Sequence, residues 1–182
     1  MKPEDRIRKV VTEVVDQVLA GVDGGEGVGA DQGDVAVGCD HGGYRLKEAI
    51  KVQLGKRGCR VVDCGTSSTD SVDYPDFAHA VASKVADGSC SAGIIIDGAG
   101  IGSAMVANKV PGVRAALCYD ISSARNSREH NHANVLTLGA GLIGANLAAQ
   151  IVDVWLDTAW GPGRHADRVA KITAVERRYV AG

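Results

Sequence analysis

The sequence predicts an α/β protein, a three-layer αβα sandwich around a five-stranded parallel sheet. Three observations carry that expectation. Short runs rich in Val, Ile, Leu and Ala recur five times, segments with helical spacing separate them, and Asp, His and Gly cluster directly after several of the apolar runs. Near-continuous apolar runs are those of strands buried on both faces, and strict alternation of strand and helix implies right-handed βαβ crossovers. The expected layering is Rossmann-like, with ligands bound beyond the carboxyl ends of the strands.

The elements follow in order. Ile7, Val10, Val11, Val14, Val15, Val18 and Leu19 repeat at i, i+3 and i+4 with charges between them, which predicts an amphipathic helix over residues 3–20 within a segment 1–20. Residues 21–33 are glycine-rich, carry Asp23, Glu26 and Asp31, and read as a flexible linker. A helix tethered in this way either docks back on its own domain or enters a groove on a partner. The main domain spans 34–182. Its expected strands are 35–38, 60–63, 92–96, 114–118 and 135–138. Its expected helices are 44–56, with Leu46, Ala49, Ile50 and Leu54 inward, then 77–86, one from about Gly102, 122–129, 143–156 and 166–179.

Composition narrows the function classes. Of 182 residues, 45% are hydrophobic and 23% charged, and the formal net charge is -2, which argues against general nucleic-acid binding. Aromatic residues make up only 4%, too few for base-stacking platforms. No apolar run reaches the roughly 20 residues of a membrane span, and the charged N-terminus lacks a signal-peptide core, so a cytoplasmic protein with no membrane partner is expected. Cys39, Cys59, Cys64, Cys90 and Cys118 show no C-x-x-C spacing, which suggests neither a zinc site nor a disulfide framework. Cys59, Cys90 and Cys118 read as small core fillers.

Chemistry concentrates where the third strand ends. Gly93 to Asp97 runs into the turn Gly98-Ala99-Gly100-Ile101-Gly102-Ser103 and then a helix, an arrangement that collects backbone N–H groups and a positive helix end around one carboxylate. Asp40 and His41 follow the first strand, so they should converge with Asp97 and the Gly100–Ser103 backbone on one cleft.

Four stretches make a resemblance specific: Gly38-Cys39-Asp40-His41-Gly42-Gly43-Tyr44-Arg45-Leu46-Lys47, Asp73-Tyr74-Pro75-Asp76, Ala107-Asn108-Lys109-Val110-Pro111-Gly112-Val113-Arg114-Ala115, and Arg128-Glu129-His130-Asn131-His132-Ala133-Asn134-Val135-Leu136. Closed by Gly163-Arg164-His165 and Arg168, they resemble the ribose-5-phosphate isomerase B family, which includes the galactose-6-phosphate isomerase subunits. The resemblance implies interconversion of an aldose phosphate and a ketose phosphate, ribose 5-phosphate or a close relative, through a cis-enediolate, with no metal or redox cofactor. The family base is a cysteine where this chain has Asp97, and Ala99 stands at a family Thr or Ser position. A desolvated carboxylate is a competent enolising base, so Asp97 is expected to act in the cysteine's place, the alternative being that it caps the following helix and catalysis is lost. The backbone N–H groups of Gly98, Gly100, Ile101, Gly102 and Ser103 would hold the enediolate oxygen, a role the Cys-to-Asp difference leaves intact. The match further implies that His130 opens the sugar ring, Asn131 helps hold the enediolate, and Asp40 holds substrate hydroxyls. His41, Arg114, Arg164 and Arg168 would form the phosphate cage.

Family sites lie between subunits, which implies a homodimer or a dimer of dimers. The leading helix is similar to encapsulation peptides, which implies a shell-protein partner and the lumen of a bacterial microcompartment. Two other readings stand beside the isomerase. One is a non-enzymatic sugar-phosphate-binding or scaffold protein, because both the Cys and the Thr of the pattern are replaced. The other is a dinucleotide-binding domain, from Gly98-x-Gly100-x-Gly102 and Asp120, weakened by Ser103 at the final glycine position.

Overall fold

The computed structural model describes residues 33–161 and 163–180. The amphipathic helix expected over 3–20, and its linker up to residue 32, lie outside the described residues. Among the described residues the strands are β1 (Val35–Cys39), β2 (Val61–Asp63), β3 (Ala92–Asp97), β4 (Ala115–Leu117) and β5 (Val135–Gly139). All pair in parallel, in the order β2-β1-β3-β5-β4. The helices are α1 (Tyr44–Lys56), α2 (Tyr74–Ala86), α3 (Ile101–Ala107), α4 (Ile121–Glu129), α5 (Ala145–Asp157) and α6 (Arg164–Val180). The expected five-stranded parallel sandwich is thus present, and no described helix is long and apolar enough to cross a membrane.

The strand period of two sorts the core into two layers. Val35, Val37, Cys39, Ile94, Ile96, Leu136 and Leu138 face α1, α4 and α5, where Ile50, Leu54, Ile151 and Trp155 meet them. Ala36, Ile95 and Val135 face the other way, against Ala78, Val81, Ala82 and Val85 of α2 and Ala107 of α3. Gly38 and Gly93 let α2 come close, since a Cβ on either would lie 2.7 Å from a Val81 methyl.

Two local differences have simple causes. Helix α2 starts at Tyr74 and takes Pro75 into its first turn, where a missing N–H costs nothing, so the Asp73-Tyr74-Pro75 stretch is not all loop. In α1 the buried positions are Lys47, Ile50 and Leu54, while Ala49 is exposed and Leu46 only partly covered. The helix has rotated to bury a lysine that finds partners.

The layers also fix the cleft. Helix α1 leaves β1 toward one face of the sheet, whereas α3 leaves neighbouring β3 toward the other. Such a switch point opens a crevice beyond the carboxyl ends of the two strands.

Candidate active site

Asp40 and His41 stand on one wall of this crevice and Asp97 to Ser103 on the other. The turn after β1 packs tightly on the end of β3, because a Cβ on Gly43 would lie 2.3 Å from the Ile96 carbonyl oxygen. A point beside Gly42 lies 3.3 Å from Asp40 Oδ1 and 3.7 Å from the Gly98 nitrogen, so the Asp40 carboxylate and the loop flank the same space. Asp40 is half-buried and accepts one hydrogen bond among the described residues, from the Gly43 N–H at 3.0 Å. The exposed His41 ring meets the segment between β2 and α2, with Nδ1 accepting from the Val72 N–H at 3.2 Å.

Asp97 is oriented differently from expectation. Its side chain is 5% exposed and turns back into its own loop. Oδ1 accepts from the N–H groups of Ala99, at 2.7 Å, and Gly100; Oδ2 accepts from the Ser103 N–H at 3.1 Å and the Ser103 hydroxyl at 2.5 Å. The amides of Gly100 and Ser103, expected to stand open for an oxyanion, therefore already hold an anion. The cause is local: a short carboxylate before a glycine turn and a helix start is a strong cap acceptor. Gly100, at φ 79°, makes the reversal, and a Cβ there would meet Leu117 at 2.5 Å. The first-turn N–H groups of Ile101 and Gly102 stay outside the carboxylate's bonds. The Tyr74 ring lies over Gly102, where a Cβ would come within 2.5 Å of it, and the Tyr119 hydroxyl donates to the Ala99 carbonyl at 2.6 Å.

Behind this wall, Lys47 is 1% exposed and its ammonium donates to Asp63 Oδ1 and to the Thr66 carbonyl, each at 2.7 Å. Burial alone would lift the Asp63 carboxyl, but hydrogen bonds from Lys47, Lys51 and the Gly65 N–H outweigh it and hold it at about 2. Burial pushes the Cys39 thiol up to about 11, so it stays protonated near neutrality.

The remaining expected site residues lie elsewhere. Arg114 precedes β4, and His130 and Asn131 precede β5, so they sit at the amino end of the sheet. Arg114 donates from Nε to the His132 carbonyl at 2.8 Å and receives the Asn134 side-chain oxygen on its own N–H at 2.7 Å. It lines a cleft of about 380 Å³ with Asn131, Ser127 and Glu176. Helix α6 starts at the same end, because the Gly161 N–H bonds the Glu129 carbonyl at 2.9 Å. There the imidazoles of His130 and His165 stack at 4.2 Å with planes 6° apart, while Asn126 lies 2.8 Å from His130 Nδ1. Burial first, then His130, Arg164 and Arg168, lower the His165 pKa. Burial, with Arg114 and Arg128, does the same at His132, whose ring stacks on Trp160 at 4.2 Å.

The expected site residues thus fall into two groups. Asp40, His41, Asp97 and the loop 98–103 occupy one end of the sheet; Arg114, His130, Asn131, Arg164 and Arg168 occupy the other. His41 does not join the three arginines. Asp97 pairs with Gly139 and Arg114 bonds Asn134, five residues apart along β5, which is roughly 17 Å at about 3.3 Å per residue. His165, Tyr74 and Lys47 are the neighbours that residue-by-residue reading left without a role.

A parallel α/β sheet with a glycine loop at its switch point defines an α/β protein with a small-ligand site beyond the carboxyl ends of two strands. The family model for ribose/galactose isomerases matches residues 35–172. Ribose-5-phosphate isomerase B of Escherichia coli K12 is 46% identical over 144 residues, covering 79% of this chain and 97% of that protein. The D-erythrulose-4-phosphate isomerase of Pectobacterium atrosepticum is 40% identical over 145 residues, covering 79% and 95%. The structure of Clostridium thermocellum ribose-5-phosphate isomerase B superposes with a TM-score of 0.79 at 51% identity, covering 80% of this chain and 99% of that one. The chain belongs to the ribose/galactose isomerase family and is a sugar-phosphate isomerase.

Proposed function

We propose that the protein interconverts an aldose phosphate and a ketose phosphate, ribose 5-phosphate or a close relative, by moving one proton between adjacent carbons through a cis-enediolate. The site is completed between two copies of the chain. One observation carries this: the carboxylate half and the arginine half stand at opposite ends of one sheet, too far apart to hold one small sugar. In the assembled site the carboxyl end of one protomer supplies Asp40, Asp97 and the loop, and its partner supplies the ring-opening His130, with Asn131, and the phosphate-gripping arginines.

Mixing tests the arrangement. Asp40→Asn and His130→Ala homodimers are each expected to be inactive on ribose 5-phosphate, followed as ribulose 5-phosphate formed. After subunit exchange, half the dimers are mixed and each carries one unaltered site, so activity returns to about a quarter of the unmodified level. A mixture no more active than its components would sink the shared site. A ribose 5-phosphate assay in which the unmodified protein equals buffer would sink the activity on this substrate.

A second reading, a non-enzymatic sugar-phosphate binder, is favoured by the closure of Asp97 on its own loop. It requires that no sugar phosphate exchange its C2 proton with solvent. The helical pattern of residues 3–20 supports a further assignment, as an encapsulation peptide for a microcompartment shell. Residues 1–20 fused to a fluorescent protein should form puncta in shell-building cells, and diffuse signal would count against it.

A further inference from the structure

Two carboxylates stand at the strand ends that border the crevice, and their surroundings are opposite. Asp97 accepts four hydrogen bonds on two oxygens, which fills the roughly four lone-pair positions a carboxylate has. Every donor belongs to the loop itself, and the Ser103 hydroxyl among them is fully buried. A base must offer an unshared lone pair within reach of the proton it takes. Asp40 meets that condition: it is half-buried, one of its oxygens takes only the Gly43 N–H, and the other has no partner among the described residues. It also borders the space beside Gly42 that the Gly98 nitrogen borders from the other side.

Resting on the isomerase reading above, we propose that the two acids divide the work: Asp97 is the internal anion that holds the glycine loop in shape, and Asp40 is the base. Asp97 is then a positioning residue. Its bonds fix the Ala99, Gly100 and Ser103 amides and leave the first-turn N–H groups of Ile101 and Gly102 uncommitted to Asp97, to serve the enediolate oxygen. Asp40 takes the proton from the carbon beside the carbonyl, and the C–H electron pair becomes the enediolate double bond as the carbonyl oxygen gains the charge. The same carboxyl returns the proton to the former carbonyl carbon, the hydroxyl proton passes to the neighbouring oxygen, and Asp40 ends as the carboxylate it began as. The Cys-to-Asp difference at position 97 is on this account a change of role as well as of residue.

The test compares Asp97→Asn, Asp97→Ala and Asp40→Asn in the full-length protein. It reads kcat, KM, thermal midpoint, and deuterium entering C2 from solvent. Asn at 97 keeps an acceptor for the Ala99 and Gly100 amides, so a positioning role predicts graded damage. Asp97→Asn should keep kcat within about tenfold of unmodified with a raised KM, and Asp97→Ala should lose more of both together with thermal stability. Asp40→Asn should lose about 100-fold or more in kcat and in deuterium exchange, with its thermal midpoint unchanged. Equal, near-complete loss of exchange in Asp97→Asn and Asp97→Ala at unchanged midpoint and KM would overturn the proposal, because a missing base cannot be rescued by an amide. So would exchange at the unmodified rate in Asp40→Asn, which does not depend on how the buried variants fold. If the unmodified protein exchanges no sugar phosphate, the isomerase reading itself falls and the division of roles with it.

Discussion

The two ends of the sheet solve opposite problems. At the carboxyl end polar groups answer one another: Asp97 is matched by three loop residues, Tyr119 secures the Ala99 carbonyl, and Lys47 ties Asp63 to the Thr66 carbonyl. At the amino end they are left over. Arg128 Nε and His165 Nδ1 are buried without a partner among the described residues, and Arg164 and Arg168 are exposed. The first end spends its hydrogen bonds on shape, as a preorganised loop must if it is not to rearrange during a reaction. The second keeps positive charge unspent, as an anion-gripping surface must.

The largest test of this contrast is to break the closed end. Gly100→Ala places a Cβ against Leu117 and Leu138 at a φ of 79°, and should cost about 3 kcal/mol from backbone strain and overpacking together. Activity should vanish even at temperatures where the protein stays folded, as followed by circular dichroism alongside turnover. A merely flexible loop would tolerate the methyl, and an unchanged midpoint would show the closure to be unimportant. The open end should respond differently. Arg168→Ala removes an exposed guanidinium, so the thermal midpoint should hold while KM for a phosphorylated sugar rises about 10-fold to 100-fold, the range of one charged hydrogen bond. A variant that instead unfolds, or binds sugar phosphate normally, would show that Arg168 is structural or idle.

Much of this was legible in the sequence because the apolar runs and their spacing leave few architectures. The strand order was not, since the position of β5 between β3 and β4 depends on which faces α3 and α4 cover. The split of the site was readable in part. Arg114 stands just before an apolar run, and His130 and Asn131 just before another, which in a parallel sheet assigns them to the amino end. Asp97 shows the limit. Its identity and place were plain, but the direction of its carboxylate follows from a left-handed glycine three residues on, and that conformation has no signature beyond the glycine itself. Lys47 falls three and seven residues before Ile50 and Leu54, the spacing of a buried stripe, yet a lysine there carries no local sign of the Asp63 and Thr66 partners that let it be buried. The His130–His165 stack joins residues 35 positions apart, which no local pattern reveals.

The smallest effect separates the two ends by pH. His132 and His165 have folded pKa values below the ordinary 6.5, so the unfolded chain binds their protons more readily, and the stability they contribute is present above about 6.5 and lost as pH falls below it. Asp63 is depressed from 3.8 to about 2, so its contribution persists to lower pH and fades only between those two values. Acid should therefore loosen the amino end first. Amide hydrogen exchange measured from pH 7 to pH 3 should show protection falling around residues 130–134 near pH 6, while β2 and the 63–66 turn hold until below pH 4. Asp63→Asn should remove the low-pH step and leave the upper one, because the two sets of groups lie at opposite ends of the strands and share no partner. Loss of protection at both ends in a single step would mean that the sheet couples them, and the division between a closed end and an open one would then hold for side chains but not for stability.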